Sequence, residues 1–190
     1  EAELRALKQP QPILYTPRQP LGSVSRTADL LQPADVRYFG GKAVNYGLLR
    51  RTIPANTPAA VALSFDLWDA FLDQNLPAYG RTLREEIASR LAPHSTWPPP
   101  QMQALQTALA GIRGLIRNEA VMPAAARQSI LNALTGFDPV RKIRFRSSTN
   151  LEDGQTFTGA GLYDSYSGCV MDDTDGDTTG PSHCDPAEPD

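Results

Sequence analysis

Long apolar runs are missing from this sequence: no stretch approaches the ~18 apolar residues that a membrane-spanning helix requires. Its first twenty residues, EAELRALKQPQPILYTPRQP, lack the basic-then-apolar pattern of a secretory signal. They also lack an initiating Met, which leads us to expect a piece of a longer chain. Histidine is scarce (His94 and His183), and so is cysteine (Cys169 and Cys184). Two cysteines allow one internal pairing. That bond would close a loop around an acidic segment and imply an oxidising compartment; two free thiols in a loop are the other reading. Basic residues are absent from one region altogether. Met171–Asp190 holds seven of the 21 acids and no Lys or Arg, so residues 1–170 carry all 18 cations against 14 anions. That mild excess suits a phosphorylated small ligand and falls short of what a nucleic-acid-binding domain carries.

What is present is ordinary globular material. At 190 residues, 41% apolar and 21% charged, the chain can bury one sizeable core or two small ones. Residues 1–37 are Pro- and Gln-rich, hold one apolar patch, PILYTP, and read as an extended lead-in with one short strand. YFGGKAVNYGLLRRTIP places two glycines ahead of a helix with Val44, Leu48 and Leu49 on its apolar face, ended by Pro54. AAVALSFDLWDAFLDQN reads as a buried strand entering a helix, with Ser64 as N-cap and Leu67, Trp68, Phe71 and Leu72 facing the core. Further helices are predicted over 81–91, 101–118 and 124–134, and strands over 140–146 and around 160–167. Such mixing gives an α/β or α+β class. From Met171 the chain is too polar to offset its ordering entropy, and 169–190 reads as an acidic loop or tail.

Chemistry concentrates in KIRFRSSTNLED, residues 142–153. Along a strand, alternate side chains share a face, so Ile143 and Phe145 point one way while Lys142, Arg144 and Arg146 point the other, about 6–7 Å apart. A row of like charges needs a counter-anion. Polyphosphate matches guanidinium forks; pairing with carboxylates elsewhere on a solvated face is the alternative. The hydroxyl turn Ser147–Asn150 follows, with Glu152 and Asp153 placed to hold a divalent cation or to cap a helix. The glycines of TFTGAGLY would let backbone approach a ligand. Earlier in the chain, FGGKAV sets Gly40 and Gly41 at a helix start, so that free N–H groups and the positive dipole end are expected beside Lys42, an arrangement suited to an anion. It is not a Walker A loop, because Val36 and Ala43 stand where Gly and Ser or Thr are needed.

In order, GGKAVNYGLL, IPANTPAAVALSFDLWDAFL, IRFRSSTNLED and GAGLYDS resemble the nucleotide-binding domain of pyruvate phosphate dikinase and phosphoenolpyruvate synthase. Glucan, water dikinases and PEP/pyruvate-binding domain proteins share the wording. The likeness covers residues 38–168. It implies the N-terminal part of an ATP-grasp-type domain, incomplete here, within an ATP-dependent phosphotransferase whose phosphohistidine passes the group to pyruvate or another acceptor. By resemblance Lys42 and Arg146 contact phosphate and Gly40 and Gly41 open the site. Arg144 joins them by strand geometry, and Ser147 by its place in the turn. ATP and Mg2+ are the implied ligands, with the magnesium ligands and the acceptor barrel in remaining domains outside this chain. The resemblance also implies a cytoplasmic protein; a Cys169–Cys184 bond would imply export. After the acids this chain reads EDGQTFTG where relatives read ED-L-P, so the loop over the phosphates differs. GPSHC around His183 is like the family's phosphohistidine motif but sits in the acidic tail, and His94 reads as an ordinary surface residue. The alternative function is a nucleotide-binding or scaffold module without catalysis. DDTDGD hints at calcium, yet with Gly176 at the sixth position of an EF-hand frame Met171 occupies the first, where an acid is required.

Overall fold

The structure, a computed structural model, describes residues 13–96, 98–153, 157–159 and 161–189. The loop GQT, within the departure from ED-L-P, lies outside the described residues. The class is α+β: every strand pairing among the described residues is antiparallel, in three two-stranded ribbons. The chain divides into two compact units, Glu1–Phe65 with Leu131–Asp190, and Asp66–Ile130.

In the first unit β1 (Ser25–Thr27) pairs with β2 (Val61–Leu63), Arg26 opposite Ala62. Between them run two 3-10 turns, a single helical turn α1 (Val36–Phe39), α2 (Gly41–Thr52) and a third 3-10 turn (Pro54–Asn56). Leu31, Phe39, Val44 and Ala62 form the core. The lead-in is thus more than extended chain. Its strand lies at Ser25–Thr27, whereas the described part of PILYTP has none, and it supplies Ala28 and Leu31, 2% and 0% exposed. The 3-10 turns that place these residues have neither the helical nor the strand period, so no periodicity announced them. Asp35 fixes the second turn by accepting from Gln32 N at 2.8 Å, and it also pairs with Arg26 at 2.9 Å.

Helix α2 turns a different face inward from the one expected. Val44 is buried, but Leu48 and Leu49 are 58% and 43% exposed, and Gly47 takes the inner position. A Cβ at Gly47 would run into the Ala28 carbonyl. The helix can therefore lie against the lead-in backbone only because that residue has no side chain. Arg50 pairs with Asp29 and donates to the Thr57 carbonyl, while Arg51 donates to Asp29 O and Leu31 O. Consecutive arginines thereby tie the lead-in to the helix. Ser64, expected as an N-cap, donates its hydroxyl to Ser23 O at 2.7 Å.

β5 (Ile143–Arg146) and β6 (Ser165–Gly168) form the third ribbon, Arg144 opposite Ser167 and Arg146 opposite Ser165. β5 is shorter than predicted because Asp138 holds the preceding residues in a turn: its side chain accepts from Val140 N and its carbonyl from Arg141 N. Beyond β6, Cys169 and Cys184 are joined by a disulfide, with their Cα atoms 5.9 Å apart. The acidic segment returns to the ribbon, where Lys142 Nζ meets Asp185 at 3.0 Å and Glu188 at 2.8 Å.

The second unit contains β3 (Asn75–Leu76), β4 (Arg81–Thr82), α4 (Leu83–Leu91) and α5 (Met102–Asn118) around Leu72, Leu76, Leu83 and Leu115. It also takes in all but the first residue of α3 (Phe65–Leu72) and the larger part of α6 (Ala124–Ala133). α4 begins two residues later than predicted because Thr82 is its cap: the hydroxyl accepts from Glu85 N while the Glu85 carboxylate accepts from Thr82 N. No helix among the described residues is long and apolar enough to cross a membrane.

Candidate functional site

Gly40 sits between α1 and α2 with φ 85° and ψ 165°, a conformation that essentially only glycine adopts. It redirects the chain so that α2 starts against the turn after β5. Both glycines are also needed for space. A Cβ on Gly40 would lie 2.6 Å from Thr149 O, and one on Gly41 2.5 Å from Glu152 O. The two segments expected to converge do meet here, backbone against backbone.

The turn closes the start of α2. Gly41 N donates to Thr149 O at 3.1 Å, and Ala43 N donates to the Ser148 hydroxyl at 2.9 Å; that hydroxyl donates in turn to Phe39 O at 2.7 Å. Of the three N–H groups ahead of the helical ladder, only that of Lys42 has no partner among the described residues. The expectation of free N–H groups at this helix start is therefore corrected. The hydroxyl turn has taken two of them, since a buried helix end must find acceptors.

The turn itself is a capping box on one turn of chain. Thr149 Oγ1 accepts from Glu152 N at 3.1 Å, and Glu152 Oε2 accepts from Thr149 N at 3.0 Å. Glu152 is also the residue whose position sequence reading left open between a cation and a cap. Its other oxygen accepts from Lys42 Nζ at 2.6 Å and from the Ser147 hydroxyl at 3.0 Å. With its side chain 1% exposed, these donors replace the water it has lost. Thr-x-x-Glu at 149–152 was a signal for this cap that spacing alone could have given.

Lys42 is 37% exposed along its side chain. One ammonium proton goes to Glu152 and one to Ser147 Oγ, 3.4 Å away, which leaves the third directed elsewhere. Arg146 is exposed on β5, and its guanidinium has no partner among the described residues. Arg144, its neighbour on the same face, donates to Ser167 Oγ across the ribbon at 3.1 Å. The row of cations is thus resolved unevenly: Lys142 is neutralised by tail carboxylates, Arg144 is tied to a hydroxyl, and Arg146 is open.

The remaining candidates are dispersed. His94 ends a 3-10 turn. His183 lies within the acidic segment, Nε2 3.0 Å from Asp175 Oδ2 and its main-chain N–H on Asp172. The Ser182 hydroxyl and that N–H hold the Asp172 carboxyl below its usual range. Asp172, Asp173 and Asp177 line a hollow of about 320 Å³ with Cys169 and Thr178. No group of three or more His, Cys, Asp or Glu among the described residues is gathered as a metal-ligand set. Glu152 does not suit magnesium, because an ammonium already sits on the oxygen a divalent ion would need. Compared with protein-family models and with curated proteins, the chain matches none.

Proposed function

We propose that this chain binds the polyphosphate of ATP, as the nucleotide-holding part of a dikinase-type phosphotransferase with an ATP-grasp-type architecture. One observation carries the reading. Lys42 Nζ lies 3.4 Å from the hydroxyl of Ser147, the residue after Arg146, across a sequence gap of 105 positions. The lysine and arginine segments that resemble the family's phosphate-contacting motifs are thereby brought side by side. Glu152 holds the lysine, one ammonium proton stays outward, and Arg146 supplies an open guanidinium suited to bidentate phosphate contact. Magnesium would arrive with the nucleotide and take its protein carboxylates from outside the described residues. Catalysis in such a site is positioning and charge neutralisation.

A second reading, a nucleotide-binding or scaffold module without catalysis, is favoured by a specific observation. The helix N-terminus is largely closed by the turn, and Lys42 already has a carboxylate.

Calorimetric titration of the chain with ATP and magnesium tests the first reading. Lys42→Ala and Arg146→Ala should each weaken binding roughly 10- to 100-fold, as expected for a lost charged hydrogen bond. Arg144→Ala should change it less than about threefold, since that group is engaged with Ser167. Equal affinities for all three variants would sink the reading of Lys42 and Arg146 as a pair that grips the polyphosphate. Binding by a longer protein that forms no acid-labile phosphohistidine would select the second reading.

A further inference from the structure

We propose that the disulfide-closed acidic segment is a redox-released strap that masks Lys142 and so weakens anion binding at the cationic face of β5. This rests on the polyphosphate reading above and adds a regulator to that site.

Asp185 and Glu188 reach Lys142 from one turn, and Cys184 anchors that turn. Asp185 follows Cys184 directly. The amides of both residues donate to the Ser182 hydroxyl, at 3.1 Å for Cys184 and 3.3 Å for Asp185. Ser182 N donates to Glu188 O and Glu188 N to Asp185 O, each at 2.9 Å. Ser182 itself is 4% exposed, so the turn is seated rather than waving in solvent. At the other end of the ring, Cys169 follows β6 directly, and Met171 N donates to Pro139 O.

The ion pairs alone are poor fasteners. Lys142 keeps 30% of its side-chain exposure, Asp185 42% and Glu188 62%, and pairs this wet contribute little against chain entropy. The ring also carries Gly176 and Gly180 in left-handed conformations and few apolar residues. What holds the carboxylates at Lys142 is the covalent tie from Cys184 to Cys169 at the end of β6.

Release proceeds by ordinary thiol–disulfide exchange with a small dithiol. One reductant thiolate attacks Sγ of Cys184, the more exposed of the two cysteines; the S–S bond breaks and Cys169 leaves as a thiolate that takes up a proton. The second reductant thiol then attacks the mixed disulfide and frees Cys184 as a thiol. Two electrons and two protons pass to the protein, and the reductant becomes its cyclic disulfide. The freed segment leaves Lys142, which rejoins Arg144 and Arg146 as a row of three cations at alternate positions.

The test uses the full 190-residue chain with inorganic tripolyphosphate and ATP as probes, titrated with and without dithiothreitol, while hydrogen exchange follows residues 171–189. Reduction should raise exchange in that segment and tighten tripolyphosphate binding about fivefold, the scale of one freed surface cation. Asp185→Asn/Glu188→Gln with the disulfide intact should give the same gain without reductant, which keeps the test valid should the reduced chain lose structure. Tripolyphosphate binding that neither reduction nor the double variant changes overturns the strap and leaves the polyphosphate reading standing. No binding in any state overturns both.

Discussion

Lys42 and Glu152, 110 positions apart, meet at 2.6 Å with unequal exposure: the glutamate side chain is 1% exposed and the lysine 37%. The glutamate therefore depends on the lysine more than the reverse. Lys42→Met leaves a carboxylate buried without its counter-charge and should cost about 3 kcal/mol. Glu152→Gln lets the ammonium turn to water and should cost about 1 kcal/mol. The double variant should cost less than Lys42→Met alone. Urea unfolding followed by circular dichroism measures all three, and equal single-variant costs would contradict the burial asymmetry.

Glycines in helices should respond with opposite signs. Gly47→Ala drives a methyl into the Ala28 carbonyl and should cost about 1–3 kcal/mol. Gly114 in α5 has nothing within 4 Å of its would-be Cβ, so Gly114→Ala should stabilise by up to about 1 kcal/mol. Gly40→Ala adds backbone strain to a clash and should be worse than either. Thermal melts of the three variants decide the order.

The cap of α4 makes a separate prediction for the second unit. Thr82→Ala should cost about 1 kcal/mol and Thr82→Ser little. The main-chain N–H and then the hydroxyl of Thr82 hold the Glu85 carboxyl below its ordinary range. A depressed carboxyl stabilises above its unfolded value and loses that contribution as pH falls through the lowered one. In Thr82→Ala the Glu85 midpoint should move up toward the ordinary range, as carboxyl-carbon NMR would report.

At the strap, Lys142 holds the Asp185 carboxyl below the usual aspartate range, and Glu188 and Asp185 together hold the Lys142 ammonium above the usual lysine range. Both shifts have the same consequence across the neutral range: the ion pairing is fully present there. The pairing weakens on the acid side as pH drops through the lowered Asp185 value, and on the alkaline side as pH climbs through the raised Lys142 value, while the disulfide keeps the segment in place. Lys142→Met should move the Asp185 midpoint up toward the usual aspartate range, stopping short of it because the Ala187 main-chain N–H still donates to the carboxylate, as the same NMR titration would report. A midpoint unmoved by that substitution would show the pair is not formed in solution.

Much of the secondary structure was legible because it is local. The 3.6-residue period of Met102, Leu105, Leu109, Ile112 and Ile116 marks α5, and Ile143 and Phe145 alternate with arginines along β5; Thr82-x-x-Glu85 is an equally local signal, and reading it as a cap would have moved the predicted start of α4 from 81 to 83. Which face of α2 turns inward was not legible. Leu48 and Leu49 outrank Gly47 in apolarity, but close backbone approach to Ala28 outweighs two leucines, and only the path of the lead-in reveals it.

The candidate site divides along the same line. Its residue types, a lysine at a glycine-marked helix start and a basic strand running into a hydroxyl turn, are properties of the sequence, and so is Thr149-x-x-Glu152 as a cap. Which cation faces which anion was decided by the tertiary structure. Charges choose partners by distance through space: Lys42 found Glu152, Lys142 found Asp185 and Glu188, and Arg146 has no partner among the described residues. Spacing along the chain constrains neighbours within a few residues, and it carries no information about which of 21 acids a fold will bring within reach of a given cation.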